Sequence, residues 1–252
     1  MKTALRLLAA LTSISAAASA GARPHTLQPA SIVLVHGVLV DGSSWRGVYD
    51  VLTRDGYRVT IVQQPLTGLD QDVAATRRVL DQQVGPVILV GHSYGGAIVT
   101  EAGSHPKVRA LVYVAVLQPD VGETSGEVAP PMKPASDHLR LTEDGYLFVD
   151  PSQFATDVGA DLPKSTAEFL AHSQMPILGT AFNTKLTVAA WHDKPSYAII
   201  ATDDHALDPV AAERMAQRAG SKVTLLKGSH LVFVSRPRAV AKVIEAAARA
   251  VQ

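Results

Sequence analysis

The sequence predicts an α/β fold built on a doubly wound, mostly parallel sheet of about six strands. Three observations carry this. From residue 31 onward, apolar runs of strand length alternate with segments of helical period. Those runs are apolar throughout rather than at every second residue, the pattern of strands covered on both faces. The chain has 252 residues with 47% hydrophobic composition, enough for one domain with a well-buried core and an inserted subdomain.

The elements follow in order. Residues 31–35 are an apolar run ending in His36-Gly37. Residues 45–55 have helical spacing and stop at Gly56, and residues 58–63 are rich in β-branched side chains. Residues 70–83 place Val73, Leu80 and Val84 at helical intervals, with Asp70 as the expected N-cap. Residues 87–90 are a short apolar strand, 94–104 a helix of small residues, and 108–117 the fourth strand. Residues 197–201 and 223–226 supply the last two strands, around a helix over 210–219 that Gly220 ends. The closing helix carries Val240, Val243, Ile244, Ala247 and Val251 on one face.

The rhythm breaks over about 118–194, too long for a plain loop. This stretch has its own signals. Residues 139–141 and 146–149 flank Glu143-Asp144-Gly145 as a hairpin, and Ser165 with Glu168 forms a capping box. It is expected to be a cap over the carboxyl edge of the sheet. Phe154, Phe169, Met175, Phe182 and Trp191 fall within it. Phe154, Met175, Phe182 and Trp191 are the candidates for an apolar pocket wall, although at least half of the cap's large side chains are expected to form its own core.

At the N-terminus, Lys2 and Arg6 precede an apolar stretch and a small-residue run ending Ala18-Ser19-Ala20. That is the layout of a secretory signal peptide over 1–20, cleaved near Ala20. Residues 21–30 then read as a leader into a domain over 31–252. The expected location is secreted or periplasmic, with no membrane association after signal removal. Lys plus Arg equals Asp plus Glu, 23 each, so the electrostatic footprint of a nucleic-acid binder is missing. The chain has no cysteine, which excludes disulfides, Cys-ligated zinc and a Cys nucleophile.

The strongest motif is Gly91-His92-Ser93-Tyr94-Gly95, a G-x-S-x-G between a buried strand and a helix. The serine then sits on a sharp strand-to-helix turn, where neighbours two residues away must lack a Cβ. The spacing fits neither G-x-G-x-x-G nor a Walker-type phosphate loop. A serine hydroxyl needs a base, and His230 follows the last strand. The histidine needs an acid after the penultimate strand, where Asp203, Asp204 and Asp208 occur. Asp208 precedes Pro209 and reads as a helix N-cap, which leaves Asp203 and Asp204. An oxyanion needs donors, and the backbone N–H groups of Val38 and Tyr94 are the candidates. Ser43 and Ser44 are expected in a turn, His92 beneath the serine and His36 under the oxyanion loop. No pair of histidines has the H-E-x-x-H spacing of a zinc site, and no metal or organic cofactor is implied.

These residues resemble the compact α/β hydrolases of the plant methylesterase and hydroxynitrile lyase type and their bacterial esterase-like relatives. Val33-Leu34-Val35-His36-Gly37, Asp41-Gly42-Ser43-Ser44-Trp45, residues 87–96, Thr202-Asp203-Asp204 and Gly228-Ser229-His230 carry the resemblance. It implies an α/β-hydrolase fold and selects Asp204 over Asp203, because the second acidic residue of that loop is the catalytic one in the family. The related lyases carry threonine at the position of Gly37 and lysine at that of Leu231, so ester hydrolysis of a small molecule is the expected activity. A non-catalytic binder on the same scaffold and a lyase or perhydrolase are the alternatives.

Overall fold

In a computed structural model of the chain, residues 30–128, 133 and 135–251 are described. The expected signal peptide and all but the last residue of the leader lie outside them.

The main sheet takes strands β1 (Ser31–Val35), β2 (Arg58–Val62), β3 (Val87–Ser93), β4 (Val108–Val116), β8 (Ser196–Ala201) and β9 (Lys222–Leu226). Their order is β2-β1-β3-β4-β8-β9, and every neighbouring pair is parallel. A second sheet of β5 (Leu139–Leu141), β6 (Tyr146–Val149) and β7 (Ile177–Leu178) is antiparallel and lies within the stretch between β4 and β8.

The apolar strands bury alternate side chains on opposite faces. Val33, Val35, Leu89, Leu111 and Tyr113 point to one side, where helices α2 (Leu69–Gln82), α3 (Gly95–Ala102) and α7 (Pro209–Arg218) pack. Ile32, Leu34, Ile88, Val90 and Val112 point to the other, against α1 (Arg46–Arg54) and α9 (Pro237–Arg249). A period-two strand buried on both faces has no polar position, which is why the sequence shows continuous apolar runs. Each fully buried Val, Leu or Ile contributes roughly 1.5–3 kcal/mol of transfer free energy. Short helices α4 (Ser125–Val128), α5 (Phe154–Asp157) and α6 (Lys164–His172) belong to the cap, and α8 (Val232–Ser235) precedes α9.

Two expected helix starts are corrected. Helix α6 begins at Lys164, with Pro163 at the N-cap and no side-chain cap bond. The N–H groups of Thr166 and Ala167 both donate to the Pro163 carbonyl, so Ser165 sits inside the first turn and no capping box forms. Helix α2 begins at Leu69 with Gly68 at its N-cap, which places Asp70 in the first turn rather than at the cap. The acid that organises this corner is Asp72. Its Oδ1 accepts from the N–H of Leu66 at 2.8 Å, and its Oδ2 from the Tyr94 hydroxyl at 3.2 Å. Leu66 is in the left-handed region at φ +55°, a conformation a leucine holds only when its surroundings impose it.

Asp72 is fully buried, and burial pushes its carboxyl up to about 6 despite the hydrogen bonds from Leu66 and Tyr94. A raised carboxylate pKa means the folded state binds more protons than the unfolded state between about pH 4 and 6. The Asp72 contribution is therefore greatest near pH 4 and falls as pH rises through 6, by roughly 3 kcal/mol at most. Asp72→Asn can keep both contacts without a charge. Urea unfolding across this range should show wild type losing stability relative to Asp72→Asn as pH rises. A constant difference between the two would contradict this assignment.

Candidate active site

Ser93 ends β3, and the chain turns at once into α3. Its φ is +53°, which a non-glycine residue adopts only under constraint. The flanking glycines are required by contact. A Cβ on Gly91 would lie 2.6 Å from the Gly95 carbonyl oxygen, and one on Gly95 would lie 2.8 Å from that of His36.

His230 lies in the loop after β9. Its Nε2 is 2.9 Å from Ser93 Oγ, and its Nδ1 is 2.7 Å from Asp204 Oδ2. A carboxylate only accepts, so Nδ1 carries the proton and Nε2 accepts from the Ser93 hydroxyl. Asp204 Oδ1 accepts from the N–H groups of Ala206 at 2.8 Å and Leu207 at 2.9 Å, so both carboxylate oxygens are engaged. Ser93, Asp204 and His230 are 9%, 5% and 6% exposed. Of the three competing aspartates, Asp204 meets His230, while Asp203 is exposed and sends its N–H to the Gly228 carbonyl. Asp208 caps α7 by accepting from the N–H of Val210.

His92 lies under this chain, fully buried, with its ring 4.7 Å from that of His230 and 4.5 Å from that of Phe233. Its Nε2–H donates to the His230 carbonyl at 3.0 Å. Burial holds it well below the usual imidazole range, and the neighbouring His230 acts in the same direction. His36 is also buried, and its Nε2 accepts from the N–H of Gln64. Its Nδ1–H therefore donates to the Gly37 carbonyl at 2.7 Å, which fixes the loop after β1. Burial lowers the pKa of His36 as well.

That loop passes hard against the serine. A Cβ on Gly37 would lie 2.7 Å from Ser93 Cβ, so a threonine there would force a shift. Val38 follows in the same loop, and Tyr94 begins the turn into α3. Neither backbone N–H has a protein acceptor among the described residues. Ser43 and Ser44 sit in a 3-10 turn that Asp41 caps. Leu231 is fully buried, so the position after His230 offers the site no charge.

A cavity of about 140 Å³ opens beside Ser93 and His230, with Val38, Leu39, Leu117, Val158, Phe182 and Leu207 among its walls. A second apolar pocket of about 290 Å³ shares Val38, Leu39, Leu139 and Phe182 with it. Of the four aromatic and methionine candidates, Phe182 lines both pockets and the others do not. Phe154 is fully buried in a cluster that joins the cap residues Val149, Val158 and Leu170 to the α1 and α9 face of the sheet. Trp191 packs in the opposite layer and donates its Nε1–H to the Pro119 carbonyl at 3.0 Å. Met175 packs half-buried against the layer that holds Trp191, and its carbonyl accepts from the N–H of Leu39 at 3.2 Å. Phe169 is exposed on α6. Sequence reasoning ranks such residues by size and apolarity, which cavity walls and core interiors share.

The sequence reading also missed Asp157 of α5, which lines the cavity and is paired with His138 at 2.7 Å. No spacing rule joins two residues of an irregular insertion. If the turn at Ser93 depends on the absent Cβ atoms, Gly95→Ala should lower stability by about 2–4 kcal/mol. Denaturant unfolding would read this directly, and a loss below about 0.5 kcal/mol would contradict it.

Comparison with known proteins agrees with this fold. Residues 32–243 match the alpha/beta hydrolase family. An alpha/beta hydrolase of Aspergillus novofumigatus is 27% identical over 250 residues, spanning 88% of this chain and 97% of that protein. A putative chloroplastic methylesterase of Arabidopsis thaliana is 24% identical over 261 aligned positions, 91% of this chain and 66% of that protein. Among solved structures, a pyrethroid hydrolase from Sphingobium faniae superposes with a TM-score of 0.76 at 24% identity, covering 88% of this chain and 98% of the other. With a match over residues 32–243 and a sheet of the same architecture, the chain belongs to the alpha/beta hydrolase family.

Proposed function

We propose that the protein is a serine hydrolase that cleaves a small to medium, fairly apolar carboxylic ester through an acyl-enzyme on Ser93. The observation that carries this is the buried hydrogen-bonded chain from Asp204 through His230 to Ser93, set beside an apolar cavity. A methylesterase and a pyrethroid hydrolase among the relatives support ester cleavage as the general activity.

In this reading Ser93 Oγ attacks the ester carbonyl carbon while its proton passes to His230 Nε2. The oxygen becomes an oxyanion, held by the N–H groups of Val38 and Tyr94 and favoured by the amino terminus of α3. Collapse expels the alcohol, which takes the proton from His230 and leaves the acyl group on Ser93. Water then attacks, passes a proton to His230, and the acid departs as Ser93 Oγ is reprotonated. Asp204 stays ionised throughout and balances the imidazolium. Gly37 and the buried Leu231 weigh against the lyase alternative. Export from the cytoplasm is proposed on the layout of residues 1–20 alone.

The test is hydrolysis of p-nitrophenyl esters of short and medium acyl chains. Ser93→Ala should lose ~10³-fold or more in kcat/KM. Asp204→Asn should lose a comparable factor for a geometric reason. Its Oδ1 would keep the backbone donors of Ala206 and Leu207, so its NH₂ would face His230 Nδ1. The imidazole proton would then move to Nε2, where it blocks acceptance from Ser93. Asp203→Asn should stay within about threefold of wild type, since its side chain is exposed. Equal turnover by wild type and Ser93→Ala would sink the mechanism.

A further inference from the structure

Apart from Ser93 and His230, the polar side chains on the wall of the cavity beside Ser93 are Ser136 and Asp157. Asp157 is 2% exposed. Its Oδ2 accepts from His138 Nδ1–H at 2.7 Å. Its Oδ1 has no hydrogen-bond partner among the described residues, yet it is not one of the fully enclosed unpartnered atoms. The little surface it keeps belongs to a residue that lines the cavity. A buried carboxylate short of a donor is costly, and here the deficit lies in a substrate-sized space.

The placement of Asp157 is held from both loops that carry the candidate machinery. The ring of His205, next to Asp204, donates from Nδ1 to the Thr156 carbonyl at 2.9 Å. The N–H of Leu231, next to His230, donates to the Val158 carbonyl at 3.3 Å. The residues on either side of Asp157 are thus each tied to one of these loops.

We propose that Asp157 is a specificity-determining residue that accepts a hydrogen bond from a donor group, in the simplest case a hydroxyl, on an otherwise apolar ester. The proposal rests on the reading of this cavity as the substrate site of a serine esterase. It narrows the substrate class from an apolar ester to an apolar ester that carries a hydrogen-bond donor. His138 holds one oxygen of the carboxylate, and the substrate supplies the donor that the other lacks. A site built to bind a hydroxyl rejects the analogue without it far more strongly than an apolar site separates two hydrocarbons.

The experiment uses two series, methyl ω-hydroxyalkanoates and ω-hydroxyalkyl acetates of increasing chain length, each compound set against the partner in which CH₃ replaces OH. Binding is measured by ligand-observed NMR in Ser93→Ala, which cannot turn the esters over. At one or more chain lengths the hydroxy ester should bind about tenfold tighter or better than its partner. In Ser93→Ala/Asp157→Ala, which leaves no polar atom to meet the hydroxyl, the preference should collapse towards equality. A merely structural Asp157 would weaken both members of a pair alike. No preference at any chain length in Ser93→Ala, whether both esters bind or neither does, overturns the proposal. That comparison needs no change at Asp157, so it stands even if the double variant fails to fold. Turnover by wild type is read separately. Preference without turnover sinks the esterase reading and keeps Asp157, while turnover without preference does the reverse.

Discussion

A serine held at φ +53° carries backbone strain of order 1–3 kcal/mol, and the surrounding chain is arranged to hold it there. β3 lies between β1 and β4 with every residue buried, so the strand feeding the turn cannot relax. The serine's own carbonyl accepts from the N–H of Leu117 just past β4. The loop after β1 closes the other side, with Gly37 at van der Waals limits against Ser93. The hydroxyl is thereby fixed at the carboxyl edge of the sheet without any bond from its own side chain to neighbouring backbone. Positioning of this kind comes from the rigid centre of a sheet, where stability is greatest.

The histidine is placed differently, by bonds converging on a loop. His92 holds the His230 carbonyl from below, and Asp204 holds the ring from the side. From above, Asp161 accepts from the Ser229 hydroxyl at 2.5 Å, and the Val158 carbonyl accepts from Leu231. Burial raises the Asp161 carboxyl, but hydrogen bonds from Ser229 and Ser235 outweigh it and leave the group below the usual carboxylate range. Asp161 therefore remains an anion that can hold the Ser229 hydroxyl. Cap and histidine loop form one hydrogen-bonded unit, so the stretch between β4 and β8 does more than roof the cavity. Its own footing is Glu101 of α3, which accepts from the backbone N–H groups of Thr187 and Val188 and from the Thr187 hydroxyl.

The readings from sequence succeeded where the controlling physics is local or periodic. Continuous apolar runs marked the doubly covered strands, and the two glycines around Ser93 marked the turn. Asp208-Pro209 marked a cap that the structure contains. They failed where a residue's partner lies far along the chain. Asp70 and Asp72 are equivalent by position near a helix start, and only the distant Leu66 and Tyr94 make Asp72 the organising acid. Ser165 and Glu168 satisfy the spacing of a capping box, but Pro163 starts the helix earlier. Phe154, Met175 and Trp191 have the size and polarity of pocket residues, but the core takes Phe154 and Trp191, and Met175 packs at the edge of the same layer as Trp191.

By itself the sequence determined the doubly wound architecture and singled out the serine and the histidine that the structure brings within hydrogen-bond distance, because strand period, turn sterics and chain order are properties of neighbouring residues. Its spacing left Asp203 and Asp204 undivided, and the family resemblance alone selected Asp204, since spacing is blind to the direction in which a side chain points. The tertiary structure separates that pair, with Asp204 buried against His230 and Asp203 exposed. It alone decided the shape and polarity of the cavity, including the half-partnered Asp157. These depend on which residues of an irregular insertion meet across space, and no local periodicity records that.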